Sequence, residues 1–139
     1  MTNLDKIQQN YYEMQVINSH LEQIEKDLDK IEEQILEVNV ILQSLEDIKN
    51  TEEGNETLMP LSNGIFVKAK ISKSDKLIVN VGQNVLVEKS IDETKEIILK
   101  QLTELEQYKD LLNNEMNKLS EKALLIEKES DQIAGEKNV

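Results

Sequence analysis

The sequence predicts an α+β fold: a long antiparallel coiled-coil hairpin of two helices, with a four-stranded insert of two β-hairpins between them. Three observations predict it. Apolar residues recur every seven positions through the first 50 residues. They do so again from Ile91 to Ile133. Between these stretches the spacing changes to strict alternation around the turn signal Asn63-Gly64.

In the first segment, Leu4 to about Asn50, one line of seven-residue spacing joins Ile7, Met14, Leu21, Leu28, Ile35 and Leu42. A second joins Ile17, Ile24, Ile31, Val38 and Leu45. The alternating steps of three and four make a heptad seam. Near the start the second line meets Asn10, and Leu4 and Tyr11 stand one position later, so the seam is expected to fray there. With no Gly or Pro to interrupt it, such a helix is roughly 70 Å long at ~1.5 Å per residue.

The last segment, Ile91 to about Ile133, carries an unbroken line of Ile91, Ile98, Leu105, Leu112, Leu119, Ile126 and Ile133, flanked by Leu102, Tyr108, Met116 and Ala123. Ser90 and Glu93 form a capping-box signature at its start, and Gly135 marks its expected end. Because the two segments are nearly equal in length, an antiparallel pairing sets Ile48 near Ile91 and Ile7 near Ile133. Both termini then meet at one tip.

The middle segment alternates. Thr57 to Leu61 reads as an edge strand because of Pro60. Asn63-Gly64 reads as a type I′ hairpin turn. Ile65, Val67, Ala69 and Ile71 then share one face, with Lys68 and Lys70 on the other. A turn at Ser72 to Asp75 leads to Leu77, Val79 and Val81; a turn at Gly82 to Asn84 leads to Val85 and Val87.

Composition excludes several functions. The chain has 139 residues, 28 acidic against 16 basic, and a formal net charge of −12. It contains no Cys, so no disulfide, thiolate metal site or cysteine nucleophile is available. The single histidine, His20, is read as a solvated helix residue, and no multi-histidine metal site is possible. The acidic balance argues against nucleic acid or an anionic membrane as partner. No apolar run of ~18 residues occurs. With no signal-peptide pattern at the N-terminus, a cytoplasmic location is expected. No Gly-rich phosphate loop or catalytic constellation is found, so neither an enzyme nor a cofactor is expected.

The insert has a further consequence. Four short strands beside a thin coiled coil cannot bury their apolar residues, and Phe66, Ile78 and Leu86 interrupt the polar face as well. Assembly through the β region is therefore expected. Its contact residues are Leu58, Leu61, Ile65, Phe66, Val67, Ile71, Leu77, Val79, Val81, Val85 and Val87.

The stretch Glu56-Thr57-Leu58-Met59-Pro60-Leu61, followed by Gly64-Ile65-Phe66-Val67-Lys68-Ala69 and by Val79-Asn80-Val81-Gly82, resembles the alpha-class prefoldin subunit, the archaeal form in particular. The likeness covers the whole chain as one prefoldin-like domain: residues 1–50 a coiled-coil helix, 56–89 the two hairpins, 90–135 the second helix. It departs in the turns, at Ser62 and at Gln83-Asn84. The resemblance implies a hexamer of two alpha-class and four beta-class subunits whose hairpins form an oligomeric β-barrel platform. It implies an ATP-independent chaperone that holds non-native proteins and delivers them to a group II chaperonin.

A holdase needs exposed apolar groups on a soluble support. The candidates at the coiled-coil tip are Leu4, Ile7, Tyr11, Tyr12 and Met14 from the first helix, with Leu124, Leu125, Ile126 and Ile133 from the second. Ile7, Met14, Ile126 and Ile133 lie on the seam and compete for core positions; Tyr12, Leu124 and Leu125 lie off it. Two other readings share this architecture. One is a self-assembling filament or scaffold of alpha-class-like subunits. The other is a coiled-coil adaptor without clients.

Overall fold

The computed structural model describes residues 2–72 and 76–137. Its elements are α1 (Asn3–Lys49), β1 (Glu56–Ser62), β2 (Ile65–Lys70), β3 (Lys76–Asn80), β4 (Leu86–Ser90) and α2 (Ile91–Lys137). Part of the expected turn, Lys73 to Asp75, lies outside the described residues.

Both helices start on side-chain caps. The Thr2 hydroxyl accepts the Asp5 N–H at 3.2 Å, and the Asp5 carboxylate accepts the Thr2 N–H at 3.3 Å. This reciprocal pair satisfies two donors that the first helical turn leaves without partners. At α2 the Ser90 hydroxyl accepts the Glu93 N–H at 3.0 Å, as the sequence pattern anticipates. The expected stop at Gly135 is not observed, since α2 continues to Lys137. Gly135 keeps a negative φ. Glycine permits a helix to end but does not compel it.

The chain divides into two compact units: a helical unit, Met1–Gln34 with Leu105–Val139, and a hairpin unit, Ile35–Glu104. In the helical unit Ile17, Ile24 and Ile31 are buried, and Ile24 retains only 2% of its exposure. Ile7, Met14, Leu21 and Leu28 are half-buried beside them. From α2, Leu112, Ile126 and Ile133 are buried. The second line therefore forms the centre of the seam. β-branched residues there have few rotamers to lose on packing.

The seam does not fray at Asn10. That residue is itself buried, 6% exposed, in the slot seven positions before Ile17, while Leu4 and Tyr11 point to solvent. Its amide donates to the Ser130 hydroxyl at 3.3 Å. A buried amide needs such a partner, and the pair joins the helices in antiparallel register. The flanking line of α2 differs from expectation at one point. Lys109 is half-buried in the slot between Leu102 and Met116, and Tyr108 is exposed. Lys109 lays its aliphatic stem along the seam and reaches Glu32 at 3.6 Å.

In the hairpin unit Val38, Leu45, Ile91 and Thr94 are buried, and the Thr94 hydroxyl donates to the Ser90 carbonyl at 2.8 Å. The four strands make two separate two-stranded antiparallel sheets, β1-β2 and β3-β4. Met59 faces Val67 and Thr57 faces Ala69 in the first; Val79 faces Val87 and Leu77 faces Lys89 in the second. The turn types differ from expectation. A type I′ turn needs positive φ at both central residues. At Asn63-Gly64 only Gly64 has it, and the register slips between Pro60 and Ser62. The paired positive angles fall instead at Gln83 (φ 50) and Asn84 (φ 61). There the Val85 N–H donates to the Gly82 carbonyl at 2.9 Å. The Asn80 side chain accepts the Gly82 N–H at 2.9 Å and holds the entry to that turn.

Truncating Ile24 to Ala is expected to cost about 2–5 kcal/mol of unfolding free energy. The same change at the exposed Leu36 should stay within about 0.5 kcal/mol. Urea denaturation of both variants checks the seam assignment.

Candidate assembly and client-contact surfaces

The first candidate surface is the pair of hairpins. Every residue of β1 is exposed, and in β2 only Ala69 is half-buried. In β3 and β4 one face, carrying Leu77, Val79 and Val87, is half-buried, while Ile78 and Leu86 on the other stand in solvent. Of the residues expected to make assembly contacts, Leu58, Leu61, Ile65, Phe66, Val67, Val81 and Val85 are exposed, and Ile71, Leu77, Val79 and Val87 are half-buried. Met59, absent from that set, is exposed opposite Val67 and belongs to the same surface. A two-stranded sheet also leaves one edge of each strand unpaired.

The second candidate surface is the end of the helical unit where α1 begins and α2 finishes. Leu4, Tyr11, Tyr12, Leu124 and Leu125 are exposed there, the most open being Tyr12 at 68%. Ile7 and Met14 are half-buried, and Ile126 and Ile133 are buried. The nine candidates thus divide between five surface side chains and four seam side chains. Val16, exposed one turn after Tyr12, is a further apolar group on this surface. Its i, i+4 relation to Tyr12 is the sequence signal for it.

Ion pairs border the seam. Lys6 meets Glu129 at 2.9 Å in the helical unit, where the His20 ring also lies 3.1 Å from the Glu115 carboxylate. In the hairpin unit Lys95 meets Glu46 at 3.0 Å and Lys49 meets Asp92 at 3.6 Å. The hydrogen bond from Lys95, with the charges of Lys95 and Lys49 behind it, holds the Glu46 carboxyl below its ordinary value of 4.5. Among the described residues, no cluster of three or more His, Asp or Glu is placed to hold a metal ion, and no helix is long and apolar enough to cross a membrane.

Two helical segments paired along a heptad seam and joined by two uncovered β-hairpins define a subunit built for assembly. Comparison with known proteins gives the class a family. The prefoldin subunit family matches residues 17–136, and the chain belongs to that family of chaperones. It is 34% identical to the prefoldin subunit alpha of Thermofilum pendens over 107 residues, covering 77% of this chain and 83% of that one. It is 29% identical to the prefoldin subunit alpha of Methanococcus vannielii over 130 residues, covering 94% and 87%. The fold is shared with a solved filamentous prefoldin from Methanocaldococcus jannaschii, with a TM-score of 0.76, 23% identity, and 86% of this chain and 98% of that chain covered.

A depressed folded-state pKa stabilises above the unfolded value and is lost as pH falls through the folded one. The Glu46 contribution is therefore present at neutral pH and disappears below the ordinary value of 4.5. Glu46→Gln should flatten the fall in melting temperature on acidification through that range and leave its shape above pH ~6 unchanged. A melting series across pH compares the two proteins.

Proposed function

We propose that the chain is a subunit of an ATP-independent holdase. In this reading its hairpins pair with beta-class prefoldin subunits in a hexamer of two alpha and four beta chains. The exposed apolar residues at the helix ends hold non-native proteins, and the complex passes them to a group II chaperonin in the cytoplasm. The observation that carries the reading is the set of ten large apolar side chains that the hairpins leave exposed, from Leu58 to Leu86. Each is worth roughly 1.5–3 kcal/mol when fully buried, so a partner that covers them is strongly favoured. The helix-end residues offer smaller contacts, which gain strength when several subunits engage one client.

A second reading has one specific observation in its favour. One solved structure of the same fold is a filamentous prefoldin. In that reading the exposed strands pair with further copies of this chain, and the assembly stays open. Measuring mass in solution, alone and with a beta-class subunit, separates the two. A small species that converts to a defined heterohexamer supports the holdase. Large polymers of the chain alone, unaltered by the partner, support the filament.

Two variants test the surfaces individually. Val67→Asp with Val79→Asp should abolish oligomers, because assembly would bury an unpaired carboxylate. A normal hexamer from that protein contradicts the assigned face. Removing residues 1–12 together with 126–139 should spare assembly and weaken suppression of client aggregation. Undiminished suppression by the truncated complex rejects the helix ends as the client surface.

A further inference from the structure

The two outer edges of the first hairpin are not equivalent. In an antiparallel pair, residues alternate between those whose N–H and C=O groups point to the paired strand and those whose groups point away. Just beyond β2 the Ile71 N–H donates to the Asn55 carbonyl at 3.0 Å, and the Ile71 carbonyl accepts the Gly54 N–H at 2.7 Å. Ile71 therefore points inward. The register continues unbroken from Glu56 opposite Lys70 to Pro60 opposite Phe66. Ala69 and Val67 thus point to β1, while Phe66, Lys68 and Lys70 turn their backbone groups to the open edge. On β1 the outward residues are Glu56, Leu58 and Pro60. Proline has no N–H, so Pro60 costs the ladder nothing but interrupts the outer edge of β1 near its middle. The outer edge of β2 keeps all its donors.

Side-chain charge marks the same edge. Lys68 and Lys70 are exposed on one face of β2. A single carboxylate serves both: Glu56 lies opposite Lys70 and 3.8 Å from Lys68. Among the described strands the other carboxylate is Glu88 in β4. A second copy that docked Glu88 beside β2 would keep its own β2 edge open and add copy after copy without closing. Opposite charges on neighbouring strands attract, and like charges directly opposite destabilise the pair. We propose that the outer edge of β2 pairs with a strand carrying Asp or Glu beside Lys68 and Lys70, supplied by a subunit other than this chain, and that the outer edge of β1 takes no strand. This inference rests on the heterohexamer reading and names the edge through which the first hairpin joins it.

The test titrates the full-length chain with a beta-class prefoldin subunit and follows complex formation by sedimentation. Leu58 and Lys68 face each other in the register, so proline at either disturbs the hairpin at the same level and removes one outward N–H without breaking a ladder bond. Each proline is read against alanine at the same position, which cancels the loss of the side chain. K68P should raise the midpoint of assembly roughly tenfold or more above K68A, because a carbonyl of the partner strand is left without its hydrogen bond. L58P should stay within about twofold of L58A. No loss at Lys68, equal losses at both positions, or the larger loss at Leu58 overturns the edge assignment. K70E should weaken assembly roughly two- to fivefold at low ionic strength and by less in high salt. An unchanged or tighter complex overturns the acidic partner. Wild-type chains that form no complex with the beta-class subunit overturn the heterohexamer reading itself. Polymers of the chain alone that K68P abolishes make a second copy the occupant and overturn the proposal.

Discussion

Two-stranded sheets cannot cover their own side chains, and the rest of this molecule is arranged around that constraint. A hairpin of five to seven residues per strand has two faces and two open edges, and it is marginal in water by itself. Here the hairpin unit covers one face of β3-β4 in part and almost none of β1-β2. The exposed residues also fall on both faces, since Met59 and Val67 point one way and Leu58 and Phe66 the other. Both faces of β1-β2 therefore stay uncovered within the chain. Other chains must supply the missing cover, and that is the behaviour of the family to which the chain belongs. Charge does not oppose it. Between Asn55 and Ser90, Lys68, Lys70, Lys73, Lys76 and Lys89 outnumber Glu56, Asp75 and Glu88, so the acidic excess lies outside the hairpins.

The helices solve a different problem, which is to remain paired along a seam only one residue deep. The fully buried line does most of this through Ile17, Ile24, Ile31, Val38 and Leu45. The complementary flanking line of α2 is polar at Lys95, Lys109 and Ser130, and each has a partner on α1: Glu46, Glu32 and Asn10. Exposed ion pairs of this kind add little stability, roughly 0–1 kcal/mol each. Their effect is on register, because a slipped pairing would strand the Asn10 amide in an apolar layer.

Much of this was legible in the sequence. The two heptad lines located both helices and named the buried apolar residues, and the alternation located four strands in two hairpins. The misreadings have physical causes. Asn10 looked like a gap because an apolar pattern does not register a polar residue that takes a core slot. Extending the line Leu102, Met116, Ala123 by seven would have reached Ser130, its partner. Tyr108 displaced Lys109 in the reading because a lysine whose stem packs is indistinguishable by type from one in solvent. Asn63-Gly64 fits a primed turn by composition, but the one-residue slip after Pro60 gave the chain another route, while Gln83-Asn84 took up the primed geometry without glycine. Exposure at the helix ends was less legible, since Ile126 and Leu125 are neighbours of the same chemistry and only the seam separates them.

The two candidate surfaces also differ in grade, and the difference follows from local structure. On a strand, alternate side chains line up every ~7 Å on one face, so Met59 and Val67 with their neighbours make a continuous patch beside open backbone edges. A surface like that associates strongly and is seldom left exposed. On the helices the exposed groups are spaced by charged and amide residues: Tyr11 and Tyr12 stand between Gln9 and Glu13, and Leu124 and Leu125 are flanked by Lys122 and Glu127. Each offers a small isolated contact on a soluble helix. One chain thereby carries a continuous apolar surface on its hairpins and a divided one at its helix ends.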